Sequence, residues 1–126
     1  MPRRPQPAAQ PSPEAVLAKA LFRATGLLEL NNAALARILG VSEASVSRLA
    51  SGARSIDPKS KEGELALLLI RVYRSLDALV GSDAAQRKAW LHSPNRALNG
   101  VPAELIQSAA GLVAVVGYLD AMRAPA

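Results

Sequence analysis

Few residues in this chain have the chemistry of a catalytic site. There is no cysteine, and the one histidine, His92, has no carboxylate at the spacing of a metal-ligand set. Glu62 and Glu64 lie at a predicted helix start, where the helix dipole is a sufficient reason for acidic residues. No pairing of a nucleophile with a general base is recognisable. We therefore predict that the protein is not an enzyme, and we expect neither a metal nor a cofactor.

A more informative spacing lies in residues 32–52, NAALARILGVSEASVSRLASG. Two helices that cross at a sharp angle need a small residue where they touch and a residue that tolerates positive φ at the turn. Ala36 and Gly40 meet these two needs. The apolar residues spaced to bury the inner face of the pair are Leu35, Leu39, Val41, Val46 and Leu49. Together these positions predict a helix-turn-helix.

The rest of the chain also favours helices. Alanine and leucine dominate, aromatic residues make up 3%, and no segment alternates with a period of two over the length of a strand. Residues 1–12 are expected to be a flexible arm. The predicted helix starts are Ser12-Pro13, Asn31 or Asn32, Ser42, Asp57-Pro58, Ser82, Pro102 and Ser108. The predicted ends are Gly40 and Gly52 for the second and third helices, Val80 for the fourth, Leu91 for the fifth and Met122 for the last.

These elements predict an all-α fold of two halves. Residues 13–57 form the helix-turn-helix half, and residues 58–126 form a long helix, to Val80, followed by a second helical half. Residues 92–101 hold prolines, asparagines and a glycine, which is typical of a structured loop. The long helix is a candidate for homodimer contacts, with Arg71 and Arg74 on its polar side.

Charge and hydropathy indicate which partners the protein can bind and in which compartment it works. The net charge of +5 and the isoelectric point of about 10.2 permit nucleic-acid binding. Residues 13–57 carry five basic and four acidic residues, so we expect dimerisation to double a modest electrostatic contact with DNA. The N-terminus lacks the apolar run of a signal peptide, and residues 105–119 are too short to span a bilayer. The amphipathic helices also lack a basic polar face for a membrane surface. We expect a cytoplasmic protein.

Over residues 13–57 the chain resembles the Xre/Cro-type repressors. The resemblance implies that the helix after Gly40 lies in the major groove of double-stranded operator DNA, with its N-terminal residues at the base edges. It also implies phosphate contacts from residues at helix ends. The base-reading candidates are Glu43, Ala44, Ser47 and Arg48, and the phosphate candidates are Asn32, Ser42 and Arg54.

The C-terminal half resembles the toxin-binding domain of the Xre/MbcA/ParS-type antitoxins. The similar segments are residues 89–106, AWLHSPNRALNGVPAELI, and residues 111–123, GLVAVVGYLDAMR. The matching features are Trp90-Leu91, Pro94-Asn95, Leu98, Gly100, Pro102 and Gly111. The resemblance implies an antitoxin that represses its own operon. It also implies a RES-domain, NAD-consuming toxin as partner, whose active site is blocked by the C-terminal segment.

The candidate toxin contacts follow from this resemblance and from the last helix, which is apolar on more than one side and needs a second surface to cover it. They are Trp90, Asn95, Asn99, Gly100, Gly111, Val115, Tyr118, Leu119, Met122 and Arg123, with the tail of residues 124–126. Large apolar residues are more often core than contact, and this is the favoured interpretation for Trp90, Leu98, Leu105 and Leu112. One alternative function stays open, a stand-alone repressor whose C-terminal half serves only for dimerisation.

Overall fold

The computed structural model describes residues 10–123. Within this range the chain forms seven helices and no strand, which confirms the predicted all-α class. An isolated antiparallel bridge joins Asn95 and Gly100. The helices are α1 (Pro13–Leu27), α2 (Asn32–Leu39), α3 (Glu43–Ser51), α4 (Lys61–Val80), α5 (Ala84–His92), α6 (Pro102–Leu105) and α7 (Ala109–Arg123).

The predicted helix-turn-helix is present as α2 and α3. Asn31, not Asn32, caps α2, because its Oδ1 accepts a hydrogen bond from the N–H of Ala34 at 2.8 Å. The turn is made by Gly40, whose φ of 69° is the left-handed conformation expected from the sequence. Ser42 then caps α3 by accepting from the N–H of Ser45 at 3.1 Å.

The fourth helix begins later than predicted. Asp57-Pro58 does not open α4, because Asp57 Oδ1 accepts from the N–H of Lys59 at 2.9 Å and forms a turn of its own. Ser60 supplies the cap instead, accepting from the N–H of Gly63 at 3.0 Å. A Cβ at Gly63 would collide with the backbone oxygen of Asp57, so glycine lets this turn fold against the helix. The predicted start was wrong because two signals for a helix start lie a few residues apart. Asp57 forms the turn, and Ser60 caps the helix.

The fifth helix begins at a different cap from the one predicted. Asp83, not Ser82, is its cap and accepts from the N–H of Gln86 at 3.1 Å. Ser82 has a φ of 63° and donates to Asp77 Oδ2 at 3.1 Å, so it belongs to the end of α4. The helix extends to His92, one residue beyond the prediction. Ser108 does cap α7 as predicted, by accepting from the N–H of Gly111 at 3.1 Å.

One hydrophobic core connects the two halves of the chain. The long α4 packs against α1 on the helix-turn-helix side and against α7 on the C-terminal side. Fully buried residues follow this path from Leu21 and Val46 through Leu69 to Leu112 and Leu119. The core therefore supports both halves through a shared helix.

Polar contacts add to this connection at two places. Arg37 Nη1 donates to Gln107 Oε1 at 3.1 Å, which joins α2 to the segment between α6 and α7. Arg87 Nε donates to the backbone oxygen of Leu27 at 3.0 Å, which joins α5 to the end of α1. The two halves are thus fixed to each other at points outside α4.

Candidate nucleic-acid and partner interfaces

The four predicted base-reading residues share one exposed face of α3. Glu43, Ala44, Ser47 and Arg48 are all exposed, while Val46 on the inner side is fully buried. The spacing of one and four residues places them side by side along the first turns of the helix. This face offers one carboxylate, one guanidinium and small residues that allow close approach to base edges.

The two predicted phosphate contacts at helix starts have different surroundings. Asn32 is the first residue of α2 and is exposed. The Ser42 hydroxyl is engaged, because it caps α3 and also donates to Ser45 Oγ at 3.1 Å. A helix N-terminus still presents free backbone N–H groups, which are the usual phosphate ligands at such positions.

Arg54 has a partner within the protein. Its Nη2 donates to both carboxylate oxygens of Glu62, at 2.7 and 2.9 Å, and both side chains are only about one-third exposed, at 31% and 28%. Its backbone N–H donates to the oxygen of Arg48 at 3.1 Å and closes the end of α3. Arg54 thus joins the end of α3 to the start of α4. The sequence explains Glu62 by the helix dipole alone and gives no sign of this pair, because the partners lie on different elements.

The predicted toxin contacts separate into buried and accessible groups. Gly111, Val115 and Leu119 are buried within the chain, so they pack α7 against the core and offer no surface area to a partner. A Cβ at Gly111 would collide with the backbone oxygen of Leu105. Close packing of α6 against α7 thus explains this glycine.

The accessible face of α7 is apolar. Val113 and Met122 are 57% and 52% exposed, which is unusual for large apolar side chains. Apart from Arg123 in its last turn, the other exposed residues on this helix are small, namely Ala109, Ala110, Ala114, Gly117 and Ala121. Val113 was absent from the predicted contacts, although the apolar character of α7 on more than one side was the signal that could have found it. We call the exposed residues of α7 the α7 face.

Trp90 lies beside α7. Its ring stacks on Tyr118, with centroids 6.3 Å apart and an angle of 22° between the planes. Both side chains are half-buried, so Trp90 packs in part against the core and in part stays accessible. Leu98 and Leu105 are half-buried against the core, and Leu112 is fully buried as favoured.

The loop between α5 and α6 is closed by its asparagines. Asn95 and Gly100 exchange two backbone hydrogen bonds of 2.8 and 3.3 Å, and Asn95 Oδ1 accepts from the N–H of Leu98 at 3.1 Å. Asn99 adopts a left-handed φ of 55°. A Cβ at Gly100 would press on Leu105, at 3.1 Å from its Cδ2. These residues therefore shape the loop, and Asn99 is also exposed.

Arg123 is tied back to α4 at the end of the described chain. Its Nη1 donates to Ser75 Oγ at 3.1 Å, and Ser75 Oγ donates to Asp120 Oδ1 at 3.3 Å. Asp120 also forms an ion pair with Arg71. This network fixes the last turn of α7 on α4. The predicted tail contacts, residues 124–126, lie outside the described residues.

The crossed pair of α2 and α3, with an exposed face on α3, defines a helix-turn-helix protein. Comparison with family models agrees, since residues 7–71 match the antitoxin Xre-like helix-turn-helix domain. Residues 75–124 match the antitoxin Xre/MbcA/ParS C-terminal toxin-binding domain. The chain belongs to the Xre/MbcA/ParS-type antitoxins, as the resemblance predicted.

The remaining findings concern curated proteins, membrane spans and the kind of family that the chain matches. No curated protein matches this chain. Among the helices of residues 10–123, none combines the length and the sustained hydropathy of a membrane span. Both matched families describe antitoxin domains and neither describes an enzyme.

Proposed function

We propose that this antitoxin neutralises a RES-domain, NAD-consuming toxin in a type II toxin–antitoxin system and represses its own operon as a homodimer. The observation that carries the proposal is the presence of two exposed surfaces on one core. One is the polar face of α3, and the other is the α7 face.

DNA binding is assigned to residues 13–57. Glu43 can accept from cytosine N4, and Arg48 can donate to guanine or to a phosphate. The N-termini of α2 and α3, at Asn32 and Ser42, bind phosphates through backbone N–H groups. Two copies related by a two-fold axis read the two half-sites of an operator.

Toxin binding is assigned to residues 58–126, and within them to the α7 face. Val113 supplies exposed apolar area, and the small residues beside it, Ala110, Ala114 and Gly117, let a partner approach the helix backbone closely. Met122 adds apolar area on another side of the last turn. Tyr118 lies beside this face and is held by Trp90. Occlusion of the toxin's active site is assigned to the same C-terminal segment, as the family resemblance implies.

Matched substitutions separate the two activities. Ala114→Glu places a charge on the α7 face, and Ala78→Glu places the same charge on an exposed position of α4. Each variant is co-expressed with the product of the neighbouring gene, and cell growth and recovery of the complex are measured. We expect Ala114→Glu to lose rescue and the complex, since burying an unpaired charge opposes binding, while Ala78→Glu keeps both.

Two results would contradict the proposal. Full rescue by Ala114→Glu would remove the α7 face from the toxin interface. Failure of the unmodified protein to rescue cells from the neighbouring gene's product would remove toxin neutralisation altogether. Truncation after Arg123 tests the tail separately, and unaffected rescue by the truncated protein would show that residues 124–126 do not block the active site.

A further inference from the structure

A groove of about 600 Å³ lies between α1 and α4, away from both surfaces assigned above. Its floor is apolar and is formed by Ala20 and Ala24 of α1 and Ile70 of α4. Val16 lines this groove and is 54% exposed, and Leu67, which is 49% exposed, lines an adjoining pocket that shares Val16 and Ile70 with it. Such large apolar side chains normally have a partner when they flank a common groove.

The rim of the groove is positively charged. Lys19, Arg23 and Arg74 line it, and no carboxylate does. Within residues 10–123 none of these three cations takes part in an ion pair, whereas Arg71, on the same helix as Arg74, is paired with Asp120. The groove therefore combines an apolar floor with three cations that lack a partner in the described chain.

The three cations and the apolar floor together determine which kind of molecule fits the groove. A second copy in a two-fold contact would bring the same three cations to the groove, which is repulsive. Pro11 of the N-terminal segment lines the groove, but residues 1–12 contain Arg3 and Arg4 and no acid, so they offer no carboxylate to its cations. A DNA backbone brings phosphates but no apolar surface for the floor. An amphipathic helix with carboxylates beside its apolar stripe satisfies both requirements.

We propose that the groove between α1 and α4 is a docking site for an acidic amphipathic helix of a partner protein. The apolar stripe of that helix packs between Val16 and Leu67, and its carboxylates pair with Arg23 and Arg74. The residues of the site belong to neither the α3 face nor the α7 face.

A pair of synthetic peptides tests the site on the full chain. One is a helix of about four turns with leucines at i, i+4 and i+7 and flanking glutamates, and the other carries lysines in place of the glutamates. Binding to isotope-labelled protein is followed by NMR. We expect the acidic peptide alone to bind and to shift the amide signals of Val16, Ala20 and Ile70.

Charge reversal supplies the matched control. The double variant Arg23→Glu, Arg74→Glu is expected to bind the acidic peptide at least about tenfold more weakly and to bind the lysine peptide instead. Leu67→Ser tests the apolar floor without changing charge, and we expect weaker binding of the acidic peptide. An unchanged circular-dichroism spectrum and a cooperative thermal transition for each variant show that the fold is retained.

Several outcomes would overturn the docking site. Equal binding of the two peptides by the unmodified protein, or an unchanged affinity in the charge-reversed variant, would exclude recognition by these cations. Groove signals that shift with protein concentration alone would assign the groove to a second copy. Groove signals that shift on addition of the promoter fragment would assign it to DNA.

Discussion

Arg87 is the buried charge on which the contact between α5 and the helix-turn-helix half depends. Its side chain is 9% exposed, and its Nη1 pairs with Asp77 Oδ1 at 3.2 Å. Its Nε donates to the backbone oxygen of Leu27, and its guanidinium lies 5.9 Å from the centroid of the Tyr73 ring. One side chain thus contacts α1, α4 and α5. We predict that Arg87→Met destabilises the whole protein.

The expected loss can be estimated from these contacts. Methionine keeps the apolar stem, so the change removes the charge and its hydrogen bonds with little loss of packing. Breaking a fully buried ion pair costs about 3–5 kcal/mol, but the Asp77 side chain is 27% exposed and water recovers part of this. A free energy of unfolding lowered by about 2–4 kcal/mol follows, including the lost hydrogen bond to the Leu27 oxygen.

Urea unfolding followed by circular dichroism measures the effect. Lys88→Met is the matched control, because Lys88 is the exposed neighbour of Arg87, and it is expected to change stability by less than about 0.5 kcal/mol. A single transition is expected for both proteins, since the two halves share a core. If Arg87→Met is no less stable than Lys88→Met, the reasoning about this buried pair is refuted.

Three other predictions concern single residues. Arg48→Ala is expected to weaken operator binding by about 1–3 kcal/mol in a mobility-shift titration, and unchanged affinity would remove Arg48 from the base-reading face. Arg54→Ala is expected to weaken operator binding without changing its salt dependence, because Arg54 is neutralised by Glu62; a salt slope reduced by about 1 would instead show a phosphate contact. Gly63→Ala is expected to lower the free energy of unfolding by about 1–3 kcal/mol, because the added Cβ collides with the turn before α4. Gly26→Ala is its control, since a Cβ there meets no atom within 4 Å, and equal stability of the two variants in thermal unfolding would contradict the packing argument.

The helix-turn-helix was predictable because its signals are local. Glycine at a left-handed turn and serine or asparagine at a helix start act within a few residues, so Gly40, Ser42 and Gly52 could be assigned from the sequence. The same local rules failed at Asp57 and Ser82, where two polar residues compete for one helix start. The choice between such neighbours depends on packing that the sequence does not display.

The hydrogen-bond partners of the predicted site residues were less predictable. Arg54 and Arg123 remain predicted contacts of DNA and of the toxin, but the sequence did not show that within the chain they bond to Glu62 and Ser75. Such pairs join elements that are distant in the chain, and no periodicity reports them. The buried position of Leu119 in the predicted contact set has a similar cause, since a helix that is apolar on two sides does not reveal which side faces the core.

We propose that DNA and toxin bind separate surfaces of one chain. The DNA-binding helix α3 packs on α1 and α2, whereas α7 packs on α4 and α6. The most direct test is a mobility-shift assay with the labelled promoter fragment, the protein, and increasing amounts of the toxin encoded beside it. We predict a slower band that contains DNA, antitoxin and toxin together. Release of free DNA as the toxin is added would contradict separate surfaces.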